Sequence, residues 1–256
     1  MYKRTMRGVY IQKPLEFRLE ISIECGVQGS PVPCALTVRN HGSESVLLSE
    51  MQLSLALGNL KKVKVKDEDA FQVLTSAPLD RASTVAPGGV ATFSWDLVLE
   101  KNAPISDKAQ TLYLLYGNSA SAPLLGQLPL TVTMHPHYRA IFDTCETVFS
   151  FINKGESWKN GYTTVKYKAP DLRKFSLVDE ISIGVRSVDG EELELAYDFK
   201  IKKLDATAHS LNFKKGKAEV IQSWKSSDYL FGGGFIRQEF LERSLEEAFA
   251  VVATGF

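Results

Sequence analysis

The sequence predicts an all-β protein of two antiparallel β-sandwich domains, with a short helix at the domain joint and a second helix at the C-terminal end. Three observations support this fold class. Apolar and polar residues alternate with a period of two over many short segments, and Gly, Pro and Asn separate those segments. A helical period of three to four appears in only two places. About seven strands punctuated by turns before residue 135 are typical of an antiparallel sandwich.

Alternation defines the strands of the first half. Residues 15–24 carry apolar side chains at every second position, and 26–33 then interrupt the pattern with two glycines and two prolines. The segment 60–75 mixes both charges and predicts a pair of short strands at a solvated sheet edge. The strands expected before residue 135 are, in order, 15–24, 34–40, 46–57, the pair within 60–75, 90–99, 111–117 and 128–134.

Residues 90–99 make up the clearest single strand. Large apolar residues alternate there with residues that are mostly polar, which places one apolar row on one face, as in a strand lying on a sandwich core. A charged turn at 100–102 and a proline at 104 end the strand. The row consists of Ala91, Phe93, Trp95, Leu97 and Leu99.

The hydrophobic period changes at residue 135. From Tyr138 to Ile152 apolar residues recur at three and four, which predicts an amphipathic helix of about three to four turns. Pro136 suits the start of this helix, and Asn153 and Gly155 suit its end. The domain boundary is therefore predicted here, with domains at 1–134 and 135–256.

Strand patterns return after this helix. Asp189-Gly190 lies between two alternating segments and is a strong signal for a two-residue hairpin. Three glycines at 232–234 end the β region and predict a hinge, and an amphipathic helix follows over 235–252. The strands expected in the second half are 163–169, 177–188, 191–203 and 217–224.

Several of these stretches together resemble a known family. They are 15–24, the strand and turn FSWDLVLEKNAPIS followed by YLLYG, the stretch LPLTVTMHPHYRAIFDTCETVFSF, and the hairpin LVDEISIGVRSVDGEELELAYDFKIKK. The chain resembles the bacterial sporulation-control proteins, which belong to the arrestin-like clan together with arrestins and retromer subunits of the Vps26 type. The resemblance implies an arrestin-like architecture and a non-enzymatic role exerted through protein contacts.

Charge, hydropathy and cysteine content exclude several classes of function. Thirty basic residues balance thirty acidic ones, so the excess positive charge that nucleic-acid binding needs is missing. The basic N-terminal residues lack the apolar stretch of a secretory signal, and no window approaches the ~20 apolar residues of a membrane span. The expected location is cytoplasmic. Cys25, Cys34 and Cys145 are expected as thiols, with a Cys25–Cys34 bridge as the alternative.

No constellation for catalysis or cofactor binding is evident. His135 and His137 have the spacing of a metal-ligand pair in an extended segment, but no third ligand has suitable spacing, so a linker pair at the domain joint is the favoured interpretation. The glycines at 232–234 lack the spacing of a phosphate-binding loop. The sequence therefore predicts no enzyme activity, no cofactor and no metal.

The predicted function is that of an adaptor or regulatory protein that binds other proteins, and the alternative is a β-sandwich module that binds a carbohydrate or lipid. The segment 60–75 is the first candidate contact surface, because an open strand edge can bind a partner strand. The C-terminal helix either packs on its own domain, which is favoured, or mediates a homodimer. The candidate contact residues are Lys61, Lys62, Lys64 and Lys66 at the first surface, and Phe240, Leu245 and Phe249 at the second.

Overall fold

A computed structural model describes residues 5–23, 25–48, 51–78, 84–118, 125–190, 192–207 and 210–254. The chain divides into two compact units, Met1–Thr133 and Met134–Phe256. The division falls next to the predicted joint at 134/135. Each unit has its own sheets and its own buried core.

The first unit consists almost entirely of strands. In chain order they are β1 Met6–Gln12, β2 Leu15–Ile21, β3 Gly26–Val27, β4 Pro31–Asn40, β5 Val46–Leu47, β6 Met51–Asn59, β7 Phe71–Pro78, β8 Thr84–Val85, β9 Val90–Val98, β10 Gln110–Asn118, β11 Gly126–Leu130 and β12 Val132–Thr133. The short helix α1, Leu60–Val65, and a 3₁₀ turn, Glu68–Ala70, connect β6 to β7.

Two four-stranded antiparallel sheets, ordered β1-β2-β4-β9 and β11-β10-β6-β7, pack face to face in this unit. The predicted alternation in β2 is confirmed, since its odd-numbered apolar residues are buried and the residues between them are not. Tyr10 on β1 meets Tyr116 on β10 edge-on, with ring centroids 6.5 Å apart. The row on β9 has the predicted period but is only half-buried, because β9 is an edge strand of its sheet.

The turn after β4 is organised by a buried asparagine. The Asn40 side chain is fully buried, and its amide Nδ2 donates hydrogen bonds to the carbonyl oxygens of Glu44 (2.7 Å) and Val85 (3.0 Å). Its Oδ1 accepts a hydrogen bond from the Gly42 N–H at 2.8 Å. One buried side chain thus satisfies three backbone groups and ties the β4–β5 turn to β8.

Two segments of the first unit differ from the sequence-based expectation. Residues 6–12, which were not among the expected strands, form β1, which pairs antiparallel with β2 from Met6↔Ile21 to Gln12↔Leu15. The expected strand 46–57 is divided into β5 and β6, and residues 49–50 lie outside the described part. The alternation in 6–12 is short, and four basic residues in and beside it make the segment resemble a solvated terminus.

The segment 60–75 was predicted as a pair of strands, and this is wrong for its first half. Residues 60–65 form α1, because the Asn59 side chain caps the helix by accepting hydrogen bonds from the Lys61 and Lys62 N–H groups. Leu60 and Val63, three residues apart, pack onto the sheet below. The alternation of Lys and Val in 61–66 is typical of a strand. The segment is nevertheless helical, because its apolar residues pack against the sheet at helical spacing. Phe71–Pro78 is the strand β7, at the edge of its sheet.

The second unit contains one five-stranded antiparallel sheet and three helices among its described residues. In chain order its elements are α2 Pro136–Thr147, β13 Ile152–Lys159, β14 Tyr162–Lys168, a 3₁₀ turn Arg173–Phe175, β15 Val178–Val188, β16 Glu192–Thr207, β17 Ser210–Trp224, α3 Ser226–Tyr229 and α4 Gln238–Thr254. The sheet follows the chain order, β13-β14-β15-β16-β17.

The second layer of this unit is helical. Apolar residues at alternate positions of β14, β15 and β16 share one face of the sheet, and α2 and α4 cover that face. Glu180 lies between Lys166 (2.9 Å) and Lys200 (2.8 Å), in the alternate row of side chains. The second domain was expected to be a sandwich of two sheets. Within the described residues, helices α2 and α4 take the place of the second sheet.

The predicted Asp189-Gly190 hairpin is confirmed between β15 and β16. Both residues have positive φ angles, 50° and 79°, as a two-residue turn of type I′ requires. Helix α2 begins at Pro136 as predicted but ends at Thr147, so Asn153 and Gly155 lie in β13. The register of β13 against β14 shifts between these two residues, because the chain bulges there.

All three cysteines are free thiols, so the alternative Cys25–Cys34 bridge is absent. Burial raises the pKa of Cys34 to about 11, and it raises the pKa of Cys145 further. Because the thiolate is the reactive form, a maleimide reagent near pH 7 is expected to modify the half-buried Cys25 in the folded protein and to spare the other two. Intact-protein mass spectrometry with peptide mapping checks this, and all three should react in denaturant. Rapid labelling of Cys145 in the folded protein would contradict the expectation.

Candidate functional site

The two predicted contact surfaces differ in how far their residues are exposed to solvent. In α4, Leu245 is fully buried, Phe249 is 5% exposed and the half-buried Phe240 packs edge-on against Trp224 at 5.3 Å. The apolar face of α4 thus packs on its own unit, which was the favoured alternative. Leu245 and Phe249 are not accessible to a partner, so the prediction of a dimer contact through them is wrong.

The histidine pair lies at the start of α2. The rings of His135 and His137 meet edge-on with centroids 4.6 Å apart, and His135 Nδ1 accepts a hydrogen bond from the His137 N–H. His137 Nε2 lies 3.2 Å from the carbonyl oxygen of Gly234. The pair thus caps α2 and contacts the glycine turn. Within the described residues, no three His, Cys, Asp or Glu side chains are arranged to hold a metal ion.

The remaining candidate surface is formed by α1, the 3₁₀ turn and β7, and we call it the α1–β7 surface. This surface carries four lysines. Lys61, Lys64 and Lys66 are exposed, and Lys62 is half-buried. Three acidic residues, 67–69, follow directly in the chain, so the surface carries both charges side by side. Asp67 caps the 3₁₀ turn, since its Oδ1 accepts a hydrogen bond from the Asp69 N–H at 2.8 Å.

The strand β7 is the open edge of this surface. Among the described residues, β6 is its only strand partner, so backbone N–H and C=O groups along its outer side face no other strand. Successive side chains point to opposite faces, and the apolar residues Val73 and Leu74 are 54% and 41% exposed. Exposed apolar residues on an open edge are features that natural sheets usually avoid, and they favour addition of a further strand.

A cavity of about 450 Å³ opens at the start of β7, where Phe71 lines it. Its walls combine aromatic and aliphatic side chains with a charged rim, as is typical of pockets that bind an apolar group. Phe71, which lines the cavity, packs edge-on against Tyr113 of the sheet beneath, with ring centroids 5.2 Å apart. Burial raises the pKa of the Tyr113 hydroxyl, so it stays neutral. The lining residues are Tyr10, Val63, Lys66, Asp67, Glu68, Ala70, Phe71, Leu125 and Gln127.

Sequence analysis located part of this site and missed the rest. It found Lys66 and the open edge, but it did not find Tyr10, Leu125 or Gln127. Tyr10 comes from β1, whereas Leu125 directly precedes β11 and Gln127 lies in it, more than a hundred residues later. No local pattern links such distant segments. The alternation in residues 6–12 was the one available signal, since it places Tyr10 in a strand.

Comparisons with known proteins bear on the fold. The sequence matches no protein-family model and none of the curated proteins. No helix within the described ranges is long and apolar enough to cross a membrane. The C-terminal domain of wzt aligns with 52% of this chain and 81% of its own at 10% identity, with a TM-score of 0.30, which is too low to indicate a shared fold.

The sporulation control protein Spo0M from Bacillus subtilis aligns with nearly the whole chain. The alignment covers 93% of this chain and 99% of that protein, with a TM-score of 0.66 and 14% sequence identity. Among the described residues, 54% lie in strands and 19% in helices. The prediction of an all-β, arrestin-like fold is therefore confirmed, and this chain shares that fold with a sporulation control protein.

Proposed function

We propose that this protein is a non-enzymatic cytoplasmic regulator of the sporulation-control type, which acts as an adaptor by binding other proteins through the α1–β7 surface. The observation that supports the proposal most directly is the open edge of β7 beside an apolar cavity. An open edge binds an extended segment through backbone hydrogen bonds, and an adjacent cavity selects one of its side chains. The fold shared with Spo0M supports the regulatory class.

The charges around the open edge of β7 indicate what kind of partner segment would bind there. Lys61, Lys64 and Lys66 are exposed on this surface, and the exposed acidic residues 67–69 follow them directly in the chain. A partner segment with acidic residues opposite the lysines would bind faster and in a defined register, because complementary charges steer association. We therefore expect a partner strand with an apolar anchor and nearby acidic residues.

Reversing the four lysines tests this surface. The variant Lys61→Glu, Lys62→Glu, Lys64→Glu and Lys66→Glu is expected to weaken partner binding at least tenfold, because attraction becomes repulsion across the contact. Its melting temperature should change little, since all four side chains are at least partly exposed. The measurement is affinity capture by the tagged protein from its native lysate, with quantitative mass spectrometry of the proteins that co-elute.

A matched control distinguishes an effect of this surface from an effect of the change in net charge. Lys108, Lys154, Lys159 and Lys168 are exposed on other parts of the chain, and their reversal changes the net charge by the same amount. This control should capture the same partners as the original protein. Equal capture by both quadruple variants would contradict the proposed surface.

The cavity supports a second candidate function, a module that binds a carbohydrate or lipid. Tyr10 and Phe71 are half-buried in its wall, and aromatic rings in a concave site are typical of such modules. A thermal-shift screen of sugars and lipids tests it, because a ligand that binds the folded state raises the melting temperature. A saturable shift that disappears in the rim variant Glu68→Arg/Gln127→Arg, together with an empty protein capture, would favour this function.

A further inference from the structure

The glycine segment before α4 forms a closed turn that displays two phenylalanines. We call residues 231–235 the aromatic hairpin. Phe231 N–H donates to the Phe235 carbonyl at 2.7 Å, and Gly234 N–H donates to the Phe231 carbonyl at 3.1 Å. Leu230 and Ile236 form an antiparallel bridge at its base. The sequence predicted a hinge here, whereas the backbone is hydrogen-bonded across the turn.

The aromatic hairpin exposes an unusually large apolar surface. Phe235 is 74% exposed and Phe231 is 56% exposed, so two of the largest apolar side chains in the unit face solvent within five residues. The Phe235 ring lies 3.6 Å from the position that a Cβ on Gly233 would occupy, which indicates a close ring–backbone contact. Exposed apolar clusters of this kind mark interaction sites.

A cation lies at the base of the aromatic hairpin. The Arg237 guanidinium lies 4.9 Å from the centroid of the Phe231 ring, in a cation–π contact. The Arg237 backbone N–H donates to the Tyr229 carbonyl at 2.9 Å, which holds the residue beside the turn. The aromatic hairpin therefore presents an apolar tip beside a fixed positive charge.

The cavity of the first unit has the complementary features. Its apolar walls enclose about 450 Å³, within the size range of pockets that accept an aromatic group. Asp67 and Glu68 stand on its rim as exposed acids, and Lys66 is the one basic residue among the lining residues. Asp67 and Glu68 are therefore placed to pair with the positive charge of Arg237.

We propose that Phe235 of one copy of this chain inserts into the cavity of a second copy, with Arg237 placed against Asp67 and Glu68. An aromatic anchor in an apolar pocket, ringed by charge pairs, is the usual centre of a protein–protein contact. The contact joins two different surfaces, so it is heterologous, and each copy can both insert an aromatic hairpin and accept one. Self-association through one small anchor is weak, with a Kd on the order of 10–100 μM.

The proposal uses the same cavity as the proposed function, but it is tested separately, on the purified full-length protein alone. Sedimentation equilibrium over a concentration range that spans this Kd should detect dimers and longer assemblies. Phe235→Ser is expected to weaken association at least tenfold. The control Ile221→Ser removes a side chain that is 68% exposed on β17 and should associate as the original protein does.

Mixing two variants identifies the heterologous contact. Phe235→Ser keeps an intact cavity, and Glu68→Arg/Gln127→Arg, changed at two exposed rim positions, keeps an intact aromatic hairpin. Each variant alone should be monomeric, and an equimolar mixture should form dimers but no longer assemblies. Circular dichroism establishes that both are folded.

Three results would overturn the proposal. The first is an original protein that stays monomeric at all concentrations, and the second is a mixture that fails to restore the dimer. The third is monomeric protein that co-sediments with phosphatidylcholine vesicles only when Phe235 is present, which would assign the aromatic hairpin to a lipid surface.

Discussion

Replacing Phe249 by Ala is expected to lower the free energy of unfolding of the second unit by about 3–5 kcal/mol, because it removes the centre of a buried aromatic cluster. Phe249 projects from α4 and meets five other rings. Their centroids lie at 5.0 Å for Phe149, 5.2 Å for Phe151, 5.7 Å for Phe175, 6.3 Å for Tyr197 and 6.4 Å for Phe199. The cavity left by the ring would face all of them.

Urea unfolding followed by tryptophan fluorescence measures this loss. In a Trp95→Phe background the two remaining tryptophans, Trp158 and Trp224, both belong to the second unit, so the signal reports that unit. Val251→Ala is the matched control, since Val251 lies on the same helix and is 54% exposed. The control should change stability by less than about 0.5 kcal/mol. A Phe249→Ala protein with unchanged stability would contradict the packing of α4.

Replacing Asn40 by Ala is expected to lower the free energy of unfolding of the first unit by about 2–3 kcal/mol, because three buried or partly buried backbone groups lose their hydrogen-bond partner. The Glu44 and Val85 carbonyls lose the Asn40 amide as a donor, and the Gly42 N–H loses its acceptor. The methyl group of Ala fills less space and offers no polar atom.

Urea unfolding followed by far-UV circular dichroism, combined with hydrogen exchange of the β4–β5 turn, checks this prediction. His41→Ala is the control in the same turn. His41 Nε2 lies 2.8 Å from Glu16 Oε2, but the His41 side chain is 49% exposed, so its loss should leave stability nearly unchanged. If both substitutions had the same small effect, the hydrogen bonds of Asn40 would not stabilise the turn.

The strands and their turns were largely predictable, because both are local. The alternation of β2, the row on β9 and the Asp189-Gly190 hairpin each follow from a few neighbouring residues. Errors arose where one local pattern fits two structures. Residues 61–66 alternate as a strand does, yet the Asn59 cap and the contacts of Val63 with the sheet below select a helix.

In the candidate site, the difference between what the sequence predicts and what packing decides is larger. Sequence alone placed the four lysines and the open edge in one segment, and it found the apolar face of α4 without determining what covers it. Only the tertiary structure buries Phe249 in its own unit, and only it brings Tyr10, Phe71 and Leu125 around one cavity. Periodicity shows which side chains are apolar, because it repeats within a few residues. Burial and enclosure depend on segments a hundred residues apart, and packing alone determines which of those segments meet.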